Sequence, residues 1–75
     1  MKNNNLDKLL TEARKAQGIS QRELAELAGV GETVVYKLES GRTDVTLSSF
    51  ISVLTGLGFE LKCHSPLGGA VTLER

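Results

Sequence analysis

Apolar residues recur at helical spacing along residues 6–57 and then switch to strict alternation. In LDKLLTEARKAQ, residues 6–17, Leu6, Leu9, Leu10, Ala13 and Ala16 share one helical face, and Gly18 stands where a left-handed cap commonly ends a helix. Ser20 opens a second predicted helix. Its hydroxyl can accept from the third helical amide while the Glu23 carboxylate reaches back to the serine N–H. Leu24, Ala25, Leu27 and Ala28 form the apolar stripe, and Gly29 closes the segment. Only Val30 and Gly31 follow before residues 32–40, so two short helices are joined by a tight turn, Gly29 to Gly31. In the third segment Val35 and Leu38 face inward with Val30 ahead of them, leaving Glu32, Thr33, Tyr36 and Lys37 on a polar outer side.

Gly41 to Val45 reads as a loop, and Thr46 can cap a fourth helix. Its apolar residues Leu47, Phe50, Ile51, Val53, Leu54 and Leu57 cover more than one stripe, which predicts contacts on two sides. After Gly58 the period becomes two. Phe59, Leu61 and Cys63 alternate with Glu60, Lys62 and His64, the pattern of a half-buried strand. Ser65-Pro66-Leu67-Gly68-Gly69 supplies turn chemistry, and Ala70 to Leu73 reads either as a second strand or as a loosely ordered tail.

Composition narrows the function. A chain of 75 residues with 40% hydrophobic and 24% charged residues is an ordinary globular domain, and at this size only roughly 60% of the unfolded surface is buried, which argues against a large enzyme cleft. The lone Cys63 closes no intrachain disulfide and offers no metal-ligand spacing. It is expected to be a buried small hydrophobe on the apolar face of its strand, with His64 on the other face. No cluster of Asp, His or Cys suggests catalysis, a metal or a cofactor. Met1 to Asn5 has no signal-peptide apolar run, and no stretch is long and apolar enough for a membrane span, so the cytoplasm is the expected compartment. Nine basic residues balance nine acidic ones for a net charge of zero, so a nucleic-acid partner has to be argued from local chemistry.

That local chemistry lies in residues 18–42, GISQRELAELAGVGETVVYKLESGR. Ser-Gln opens the second helix, Leu-Ala lies within it, Ala-Gly marks the turn and Leu-Glu-x-Gly-Arg closes the third helix. This composite pattern resembles the helix-turn-helix of the phage-repressor and Cro (XRE) family. The resemblance implies a mainly α, lambda-repressor-like bundle of four to five helices with a C-terminal β-strand or hairpin. It also implies that the helix after the turn enters the major groove of double-stranded DNA.

On that resemblance Glu32, Thr33, Val34, Tyr36 and Lys37 are the candidate base-reading residues. A carboxylate can accept from a cytosine amino group, Thr33 or Val34 can touch a thymine methyl, and Lys37 can donate to guanine. Gln21, Arg22, Ser40, Arg42 and Lys15 are the candidate phosphate contacts, which fix position without reading sequence. Arg14 and Glu39 match an Arg and a Glu that pair structurally in many members of the family.

Residues 46–63 resemble HipB-type antitoxins. That resemblance implies a homodimer in which the strand carrying Phe59, Leu61 and Cys63 pairs with its copy, and a HipA-like kinase toxin as a further partner. The expected organisation is a polar lead-in at 1–5, a DNA-binding domain at 6–57 and a dimerising strand or tail at 58–75. The expected function is a dimeric repressor of a palindromic operator and antitoxin. The competing class is an adaptor that uses the same scaffold without touching DNA. The polar outer face of the third helix, poor in aliphatic anchors, argues against it.

Overall fold

Each helix starts and stops where side chains or glycines satisfy its end groups. The computed structural model describes residues 5–74, in the order α1 (Leu6–Ala16), α2 (Gln21–Ala28), α3 (Glu32–Glu39), α4 (Leu47–Gly56), β1 (Leu61–His64) and β2 (Ala70–Leu73). At α2 the Glu23 N–H donates to Ser20 Oγ at 3.0 Å and the Ser20 N–H donates to Glu23 Oε1 at 2.8 Å, the reciprocal cap its sequence predicts. Gly29 ends α2 at φ 73°, a left-handed conformation that costs a glycine nothing and turns the chain sharply into α3. Thr46 caps α4 by accepting from the Ser49 N–H.

One fully buried side chain from each helix meets at the centre: Leu10, Leu24, Val35 and Val53. Ala25, Ala28, Leu38, Leu54 and Leu57 surround them. Full burial of each large aliphatic chain is worth about 1.5–3 kcal/mol, so these four fix the relative placement of the helices. α4 is covered over most of its circumference, with Ile51, Ser52, Val53 and Leu54 all buried, as its wide apolar face predicts. Ser52 escapes a penalty because its hydroxyl donates to the Ser48 carbonyl at 2.9 Å. Gly56 lies against α2, where a Cβ would sit 3.5 Å from both Ala28 Cβ and Leu24 Cδ1. Gln17 fastens α1 to the end of α4 by donating from Nε2 to the Leu57 carbonyl at 3.0 Å.

The C-terminal segment is an antiparallel hairpin, with Leu61 opposite Leu73 and His64 opposite Ala70. The open alternative for residues 70–73 thus resolves to a strand, and β1 pairs within its own chain through this edge. Gly68 and Gly69 make the reversal at φ 103° and 88°. Phe59 and Leu61 pack against the core at the root of the hairpin. Further out nothing covers it, so Cys63 is exposed, contrary to the expectation of a buried thiol. Alternation assigned Cys63 to a face but did not supply anything to cover that face.

Of the predicted polar lead-in at 1–5, all but Asn5 lies outside the described residues. Among the described residues there are four helices, and none is long and apolar enough to cross a membrane.

Candidate nucleic-acid interface

The outer face of α3 is created by what its inner face buries. Val35 and Leu38 are locked into the core, so Glu32, Thr33 and Tyr36 project outward and are exposed. Together with Gln21 from the first turn of α2, these three line an open cleft of about 290 Å³. Here the two helices of the helix-turn-helix meet the surface. Val34 differs from its neighbours. It is half-buried and packs against the core, which leaves only part of its side chain to face outward.

Beneath the cleft is an ion pair that the resemblance anticipates. Arg14 donates from Nε to Glu39 Oε2 at 2.7 Å and from Nη2 to Oε1 at 3.1 Å, and its Nη1 donates to the Ile19 carbonyl at 2.8 Å. The two side chains are only 11% and 6% exposed. Gln21 adds a third hydrogen bond from Nε2 to Glu39 Oε1 at 3.1 Å. Burial works against the Glu39 charge, but hydrogen bonds from Arg14 and Gln21 and the attraction of the guanidinium outweigh it, so the carboxyl titrates below its usual range. The hydrogen bond to Glu39, opposed by burial, holds the Arg14 pKa above its ordinary value.

The cationic candidates divide into separate places. Arg22 lies at the start of α2, exposed, with Glu26 at 3.8 Å one turn on. Lys15 is exposed in the last turn of α1, and among the described residues it forms no ion pair. At the far end of α3, Lys37 and Arg42 converge on one carboxylate that sequence reasoning placed in a loop and left without a role, Asp44. Arg42 grips it with two hydrogen bonds, Nε to Oδ1 at 3.2 Å and Nη2 to Oδ2 at 2.8 Å, and Lys37 Nζ lies 3.4 Å from Oδ2. Hydrogen bonding from its own backbone N–H, opposed by desolvation and aided by Arg42 and Lys37, lowers the Asp44 pKa. Ser40 donates its hydroxyl to the Tyr36 carbonyl at 2.8 Å and so finishes α3 while its oxygen stays exposed to solvent.

Two short helices joined by a glycine turn, with the second presenting a polar face, define a helix-turn-helix domain. Residues 10–62 match the Helix-turn-helix family HTH_3, and the chain belongs to it. Over 53 residues it is 36% identical to an uncharacterized HTH-type transcriptional regulator of Haemophilus influenzae, covering 71% of this chain and 54% of that protein. It is also similar in structure to an HTH_3 family transcriptional regulator from Vibrio cholerae, with a TM-score of 0.63 and 25% identity. That similarity covers 73% of this chain and 31% of the other. The chain thus spans about half the length of the curated relative and a third of the solved one.

Proposed function

We propose that this protein is a sequence-specific DNA-binding transcriptional repressor that acts as a dimer on a palindromic operator. The observation that carries the reading is the cleft that Gln21 of α2 forms with Glu32, Thr33 and Tyr36, the last three exposed on α3, which is anchored from behind by Val35 and Leu38. α3 enters the major groove, where Glu32, Thr33, the exposed part of Val34, Tyr36 and Lys37 meet base edges. Gln21, Arg22, Ser40, Arg42 and Lys15 meet phosphates. With zero net charge the complex releases few counterions, so its affinity falls less steeply with salt than that of a basic repressor.

Dimerisation is supported by the hairpin. Its apolar residues outrun the core, with Val71 63% exposed and Cys63 exposed beside it, and its outer edges have unpaired backbone groups. A two-fold partner covering Phe59, Leu61 and Cys63 would set two α3 helices on half-sites roughly 34–36 Å apart. The likeness of residues 46–63 to HipB-type antitoxins adds the antitoxin role, with a HipA-like kinase toxin as the protein partner.

Selection of bound sequences from a randomised duplex pool tests the reading. Enrichment of a palindrome is expected, and Glu32→Ala should change which half-site bases are preferred, each good base contact being worth about 1–3 kcal/mol. Equal weakening on every duplex would remove Glu32 from the readers, and no enrichment at all would remove the proposal. Ultracentrifugation at micromolar protein reads the dimer, and co-purification with the product of a neighbouring kinase-like gene reads the toxin partner.

A further inference from the structure

Asp44 sits where a DNA-binding surface would be expected to keep its cations free. It takes both of the basic side chains at the C-terminal end of α3, binding Arg42 through two hydrogen bonds and Lys37 at 3.4 Å. Arg42, at two residues' separation, is a local partner. Lys37 is seven residues away on the helix, and the two meet only because the chain reverses at Gly41, where φ is 82°. Asp44 and Arg42 are both more than half exposed, so the cluster faces the solvent from which a duplex would approach.

We propose that Asp44 is a positioning residue of the DNA interface that limits its affinity for the phosphate backbone. It steers Lys37 and Arg42 towards each other and cancels one of their charges. The inference rests on the DNA-binding reading. A phosphate that approaches Arg42 must displace or share the carboxylate, and it meets the negative charge of Asp44 while doing so. Backbone affinity is therefore set below what Arg42 would give without the carboxylate. A reader that binds all DNA too well is held away from its site by the excess of competing duplex, so limiting this contact serves selectivity.

The test compares the full chain with Asp44→Asn, Asp44→Glu and Glu60→Gln on a random-sequence duplex of about two helical turns. Glu60 pairs with Lys62 at 3.5 Å beside the hairpin, so Glu60→Gln removes the same charge and frees a lysine in the same way, but away from α3. Asp44→Asn should tighten binding about three- to tenfold, the combined effect of two exposed ion pairs. It should also steepen the plot of log K against log salt by about 0.9, one further neutralised phosphate. Asp44→Glu should stay near wild type in both. A salt slope that Asp44→Asn leaves unchanged, or a gain that Glu60→Gln matches, would overturn the proposal while leaving the DNA-binding reading intact. If none of the four proteins binds duplex at low salt, the reading itself fails and takes this inference with it.

Discussion

Replacing Arg14 by methionine should be the most damaging single polar substitution in the chain. The guanidinium makes three hydrogen bonds, two to Glu39 and one to the Ile19 carbonyl. Methionine fills much of the same volume and makes none of them. What remains is a carboxylate with 6% of its side chain exposed and the Gln21 amide as its remaining strong donor. Breaking one side of a buried pair costs about 3–5 kcal/mol because the surviving charge is uncompensated. A domain of this length is stable by only about 4–11 kcal/mol. The substitution therefore consumes between about a quarter and all of the stability.

Urea denaturation of the wild type, Arg14→Met, Glu39→Leu and the double variant gives the cycle. Each single change should cost several kcal/mol, and the double should recover most of the loss, since two apolar side chains pack where the pair stood. A separate signature comes from pH. In the wild type the Glu39 pKa is lowered on folding, so its contribution is full above the unfolded value near 4.3 and is lost as pH falls through the folded value. In Arg14→Met the guanidinium no longer opposes burial, so the folded Glu39 pKa moves up from its wild-type position. The stability that Glu39 contributes above about pH 4.3, and loses on acidification, should therefore be smaller in Arg14→Met than in the wild type. A cost for Arg14→Met under about 1 kcal/mol, or a double variant as unstable as the singles added together, would refute the account of a paired buried charge.

Two further substitutions probe the scaffold. Ser20→Ala removes the acceptor for the Glu23 N–H and half of the reciprocal cap, and should cost about 1 kcal/mol in urea melts with little change in slope. Gly56→Ala should instead stabilise by about 0.4–1 kcal/mol, seen as a higher Tm. Its backbone φ is negative, its new Cβ meets Ala28 and Leu24 at an ordinary 3.5 Å, and the unfolded chain loses freedom. A lower Tm would mean that the α2–α4 approach has no room for a methyl group.

The features legible in the sequence are those written within a few residues. Ser20 and Glu23 stand three apart, Gly29 follows the last apolar residue of α2, and the switch from helical to alternating spacing at Gly58 marks the start of the strand segment. Partnerships that depend on the path of the chain were harder. Asp44 lies seven residues from Lys37 but beyond the end of α3, so helical spacing does not pair them, and their meeting is decided by the reversal at Gly41. The choice between strand and tail for Ala70 to Leu73 turned on whether Ser65–Gly69 would close a hairpin, since residues of such modest apolarity gain order only by pairing. Cys63 shows the limit of alternation. Period-two spacing tells which residues share a face, but burial requires a second layer, and past Leu61 the helices do not reach. The contact of Gly56 with Ala28 and Leu24 is equally invisible in the sequence, because a missing side chain leaves no trace in a hydrophobic pattern.

The buried pair and the candidate interface are one electrostatic unit. Glu39 lies directly behind Gln21, which lines the cleft with Glu32, Thr33 and Tyr36. An isolated carboxylate there would repel any phosphate brought to the start of α2. Arg14 neutralises it, so Gln21 is held by a charge whose field is largely cancelled. An amide nitrogen carries two hydrogens. Gln21 gives one to Glu39 and keeps the other, together with its backbone N–H in the first turn of α2, for an oxygen from outside. Arg14 thus supports the cleft without touching its surface. Under conditions where Arg14→Met is still folded, it should bind duplex more weakly than the wild type, because the uncancelled carboxylate now faces the phosphates. Arg14→Met with Glu39→Leu should regain part of that affinity, since the repelling charge is gone although Gln21 has lost its anchor. If the double variant bound no better than Arg14→Met, the lost anchor would outweigh the exposed charge, and the pair would act on the interface through position alone.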